Sequence, residues 1–167
     1  AMRATRGLHA KAAIPKSFLD TGAPLKVVFH RQRADEIPHT HAFHELVFVR
    51  SGRGCHVTED GKAPIAGGDC FLIKPGLVHN YEEVAALEIV NVLYDLPGLA
   101  LPLHDLAELP GYRAFFQTGP SLRGDFRSQN GVRLKGAEFA QIESRLALMR
   151  RFQERQDPGW RHALACE

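Results

Sequence analysis

Between residues 26 and 95, short runs of β-branched and aromatic residues are cut by turn residues every few positions. Seven runs have strand length and composition: 26–32, 45–50, 54–58, 62–66, 70–73, 79–82 and 87–93. Ser51-Gly52, Glu59-Asp60-Gly61, Gly67-Gly68-Asp69 and Pro75-Gly76 separate them, and each supplies turn chemistry with a glycine free to take positive φ. Asp60-Gly61 between two short runs is a hairpin signal. Many short strands at regular spacing predict a sandwich or barrel and exclude a βαβ architecture, which needs a helix between strands.

After residue 95 the pattern changes. Residues 98–109 suggest a short helix closed by Pro110-Gly111, and 127–135 supplies one more strand. From Gly136, Phe139, Ile142, Leu146, Met149 and Phe152 recur at three- and four-residue steps, the signature of an amphipathic helix. Asp157-Pro158-Gly159 breaks it, and a second helix begins near Trp160. The expected division is a barrel over residues 20–135 followed by a helical hairpin over 136–167. Trp160 to Glu167 carries no stop signal, so the second helix is expected to be cut short. Ala1 ahead of Met2 reads as a scar of tag removal.

The chain of 167 residues has a net charge of only +2, so charge alone does not point to nucleic acid. Arg150, Arg151, Arg155 and Arg161 read as solvated helix faces. Cys55, Cys70 and Cys166 form no C-x-x-C pair, which argues against a disulfide framework or a zinc knuckle. With no signal-peptide core and no membrane-length apolar run, a cytoplasmic protein is expected.

The chemistry concentrates in His39-Thr40-His41-Ala42-Phe43-His44-Glu45. His39 and His41 share one face of an extended strand, roughly 7 Å apart along it. Glu45 would lie roughly 13 Å beyond His41 on a straight strand, so the chain must bend near Ala42-Phe43 for all three to reach one ion. Downstream, a strand and the Pro75-Gly76 turn return His79 to the same place. Three imidazoles and a carboxylate suit a divalent transition metal, zinc, iron, nickel, copper or manganese. A barrel that keeps these polar groups to hydrogen-bond an organic ligand stays open as the alternative. His44 has the opposite parity and should point outward, unless a bulge exchanges it with a neighbour. His30 reads as a strand-surface residue, and His9, His104 and His162 belong to no constellation.

These residues resemble the cupin superfamily. His39, His41, Glu45 and Gly52 match its first motif, His-x-His-xxx-Glu-xxxxxx-Gly, in full. The second motif is matched more loosely by Gly68, Pro75, Gly76 and His79. Pro and Gly are adjacent here, and Asn80 follows the histidine directly instead of standing later. The resemblance implies a mainly β fold, a jelly-roll barrel (double-stranded β-helix), with His39, His41, Glu45 and His79 as metal ligands.

A longer pattern narrows it. Residues 43–54, 68–81 and the Asn91-Val92-Leu93-Tyr94 strand are similar to the N-terminal effector domain of AraC-family transcription regulators, especially the L-rhamnose-responsive branch. That resemblance spans residues 25–155 and implies a sugar-sensing, homodimerising module, with DNA bound through a helix-turn-helix domain outside this chain. The effector would sit in the barrel, held by Tyr81, Asn91, Glu88 and Arg50, with Phe29, Phe43 and Phe71 as walls. Tyr81 leads this set, because it shares a strand face with His79. The competing class is a metal-dependent cupin enzyme, a sugar isomerase or an oxygenase, in which the same quartet would polarise substrate oxygens. No further acid/base pair supports it.

Overall fold

A computed structural model describes residues 8–15, 19, 22–23, 25–99, 106–113, 116 and 131–167. Its frame is two long antiparallel strands, β4 (His44–Thr58) and β7 (His79–Tyr94), paired along nearly their whole length. β2 (Leu25–Gln32) pairs with the far half of β7. β5 (Gly61–Ala66) and β6 (Asp69–Ile73) pair in succession with the two ends of β4. Two three-residue strands extend the sheet: β1 (Ala12–Ile14) lies parallel to β3 (His39–His41), and β8 (Gly131–Arg133) lines up with β6.

The two sequence breaks at Ser51-Gly52 and 83–86 are bulges inside continuous strands, not turns. Register shifts between Val49 and Cys55 mark them. Gly52 has φ 78°, while Glu83 and Ala86 have φ of 55° and 48°. An added Cβ at Gly52 would fall 2.0 Å from the Ala86 carbonyl oxygen, so glycine is required where the strands cross so closely. Each bulge adds twist, which lets two long strands wrap into a barrel. The Asp60-Gly61 hairpin is present, with Glu59 and Asp60 as the loop and Thr58 facing Gly61.

The sheet separates two apolar layers. Val47, Val49, Ile65, Phe71, Ile73, Leu87 and Ile89 fill the barrel interior. The opposite face, with Val27, Phe48, Leu72, Val90 and Val92, is covered by α3 (Gly136–Arg155) and α4 (Trp160–Cys166) through Leu146, Met149, Trp160 and Leu164. Thus the helical stripe read from sequence is used, at least in part, on the chain's own barrel. Gln156, left-handed at φ 52°, ends α3. Around the helix expected over 98–109, α1 covers Leu96–Leu99, a 3-10 turn covers Leu106–Glu108, and Pro110 begins the short α2 (Pro110–Tyr112). Proline is compatible with a first helical position because that N–H needs no partner. Residues 100–105 and 127–130, parts of the expected helix and last strand, lie outside the described residues, as does His104.

Candidate metal centre and interior cavity

The chain bends where the spacing requires it. β3 ends at His41, Ala42 and Phe43 make the corner, and β4 starts at His44 with Glu45 facing inward. His79 opens β7 directly opposite His39. His41, Glu45 and His79 are all buried, and their ligand atoms lie within 4.8 Å of one another.

Each histidine is oriented by a backbone carbonyl. Nδ1 of His41 donates to Phe43 O at 2.6 Å, and Nδ1 of His39 and of His79 donate to Ile37 O and Leu77 O, both at 3.2 Å. A carbonyl only accepts, so Nδ1 carries a proton, which leaves Nε2 as the nitrogen able to ligate. His41 Nε2 then faces Glu45 Oε2 at 3.0 Å with no other partner. A shared positive charge, a proton or a metal ion, satisfies that pair. Burial, then the rings of His39 and His56, pull His79 down to about 2, so its imidazole is neutral, the form that ligates. These residues therefore fit a divalent metal.

His39 is a partial exception to the expected quartet. Its ring lies 4.3 Å from that of His79 but 6.4 Å from that of His41, and its nitrogens fall outside the converging group. Its Nδ1 also stands 3.8 Å from Glu36 Oε2. Burial raises the Glu36 carboxyl, His39 opposes that, and Glu45 adds to it. Glu36 was not singled out in the sequence, although an acidic residue three positions before His39 is a usable signal.

Phe43 is 1% exposed and stacks on His41 at 4.6 Å with rings nearly parallel. It positions that histidine from behind. Tyr81 is buried on the interior face. Its unpartnered hydroxyl is raised well above the usual range by burial, then by Glu45 and Glu36. Asn91 is also interior, level with Val47 and Val28, with Oδ1 buried and unpartnered.

The structure places Arg50, Glu88 and Phe29 on the helix-covered face, away from the candidate centre. Arg50 pairs with Glu143 of α3 at 2.8 Å and with Glu88 at 3.9 Å, and the Arg150 guanidinium sits over the Phe29 ring. Arg50 stands five positions after Glu45, an odd step, at the start of the first bulge of β4, and so turns outward. His44 also faces away from the centre and stacks on Tyr94 at 5.2 Å.

A cavity of about 720 Å³ opens between β5, β6 and β8, and His56, Ile65, Phe71 and Leu77 line it. Phe71 is the one predicted wall that does so. His56 joins this cavity to the centre: its ring is 4.8 Å from Phe71 and 5.7 Å from both His79 and Tyr81. Burial, with His39 second, pulls His56 down to about 4. Sequence parity hid this residue. It lies an odd number of positions after Glu45, and only the intervening bulges return it to the inner face.

Residues 27–146 match the family described as the AraC-like ligand binding domain. The chain belongs to that family. This AraC-like domain keeps the cupin barrel implied by its two motifs. It is 40% identical over 76 residues to the HTH-type transcriptional activator RhaR of Escherichia coli K12, and 39% identical over 75 residues to RhaR of Salmonella arizonae. Those segments are 46% and 45% of this chain but only 27% of either relative, so the chain matches about a quarter of their length. Among solved structures, a cupin 2 conserved barrel protein from Salinispora arenicola is 19% identical with a TM-score of 0.42, covering 47% of this chain and 70% of that one. A cupin-2 domain protein from Shewanella frigidimarina is 17% identical with a TM-score of 0.39, covering 41% and 69%.

Proposed function

We propose that this AraC-like domain is the sugar-sensing, dimerising part of a cytoplasmic transcription regulator, with a divalent metal held by His41, Glu45 and His79 beside the effector. The regulator would bind DNA through a helix-turn-helix domain outside this chain. The single observation that carries the reading is the family match over residues 27–146, which implies a small-molecule effector. The names of the relatives, HTH-type transcriptional activators, support regulation over catalysis.

The metal's contribution is a Lewis-acidic point at which hydroxyl oxygens can be held. The protein's own part is to fix the ligand tautomers through Phe43 O and Leu77 O and to keep the centre dry under Phe43 and Tyr81. His39 takes the place of a weaker fourth ligand, braced by Glu36. Dimerisation is assigned to the outer surface of α3, where Ile142 is 38% exposed.

The test is a melting-temperature screen of neutral sugars, L-rhamnose among them, with and without chelator. A molecule that binds only the folded state raises the melting temperature. The expected result is a rise with one sugar, reduced when metal is stripped. A panel in which none acts removes the sugar reading, and a single species of monomer mass in sedimentation at tens of micromolar removes the dimer.

A further inference from the structure

Phe43 and Tyr81 lie beside the candidate metal centre, yet a roomier space opens elsewhere in the barrel. The cavity between β5, β6 and β8, about 720 Å³, falls within the range of roughly 300–1,000 Å³ usual for small-molecule sites. Neither His41, Glu45, His79, Tyr81 nor Asn91 lines it. His56 does, with part of its ring; its Nε2 is closed off from water, so a molecule in the cavity would meet the rest of the ring, Nδ1 included.

We propose that this cavity is the effector site, with His56 as the polar anchor at its inner end. The proposal rests on the effector reading above and relocates it. The lining states the ligand chemistry. Ile65, Phe71 and Leu77 give an apolar floor, whereas Arg53, Asp60 and Glu83 set charges of both signs at the rim. A small uncharged molecule fits, hydroxylated at the end that meets His56 and apolar along one face. Charged analogues gain nothing from a mixed rim and lose their hydration inside. Ligand and metal then communicate through one ring, because His56 stands 5.7 Å from His79.

Two variants test the placement by calorimetric titration of the full chain with the best sugar of a panel containing L-rhamnose, L-fucose, L-arabinose and D-xylose. Ala63 faces His56 across β4 and β5 and lines the cavity. Ala63→Phe fills that space without removing any core contact, and binding is expected to vanish. His56→Leu is expected to weaken binding at least about tenfold by removing the anchor. Cooperative melting of each variant confirms folding, and Ala63→Phe carries the test if His56→Leu does not fold. Wild-type affinity in either folded variant overturns the placement alone. Failure of every sugar to bind the wild-type chain overturns the effector reading and the placement together.

Discussion

The carboxamide of Gln153 binds both backbone groups of Val27: its Oε1 accepts from Val27 N at 2.8 Å and its Nε2 donates to Val27 O at 3.0 Å. One side chain of α3 thus acts as a strand would on the free edge of β2, which among the described residues pairs with β7 alone. Exposed edges invite pairing with other chains, and this contact closes that position. Gln153→Ala is expected to lower stability by about 1–3 kcal/mol, because two partly buried backbone groups lose their partners. Urea denaturation checks it, and an unchanged midpoint would show that water replaces the amide at no cost.

Glycine at 52 is dictated by contact as well as by φ. Gly52→Ala drives a methyl into the Ala86 carbonyl, and should cost about 3 kcal/mol or more. Gly76 has a similar φ of 82° but nothing within 4 Å of an added Cβ. Gly76→Ala should therefore cost only the backbone strain, about 1 kcal/mol. Thermal melts of the pair separate crowding from conformation, and equal losses would refute the distinction.

For the metal, Glu45→Gln and His79→Gln should each lower bound metal at least about tenfold, measured by elemental analysis after equilibration with zinc. His39→Gln should retain more, since its ring lies outside the converging group. Equal loss from all three would restore the symmetric quartet expected from sequence, and full retention by His79→Gln would dismiss the centre.

Arg50→Ala should leave sugar affinity unchanged, because the guanidinium faces α3 and its pair with Glu143 is about one-third exposed. The stability change should stay below about 1 kcal/mol at physiological salt. Loss of binding in a folded variant would put Arg50 back in the ligand site.

The domain's type was legible in its residues. Turn residues at short intervals announced a sandwich or barrel, and the spacing of His39, His41, Glu45 and His79 pointed to one region, where His39 stands apart from the other three. That spacing is local chemistry: two histidines on one strand face, one corner, and one turn bring the groups together. The three- and four-residue apolar step from Phe139 likewise revealed α3, because helix periodicity is written along the chain.

What the sequence left undecided depends on contacts between distant segments. Period-two parity fails where a strand carries bulges, so counting from Glu45 gives no sign that His56 faces inward. Ser51-Gly52 looks like a turn until β7 is laid across it and the Ala86 carbonyl occupies the space. Arg50 and Glu88 are polar residues on a barrel strand, but only the packing of α3 shows which side of the sheet they serve. Local sequence determined which elements form and that His41, Glu45 and His79 come together. Tertiary structure decided which face each strand turns inward, because bulges and a covering helix are set by partners far away in the chain.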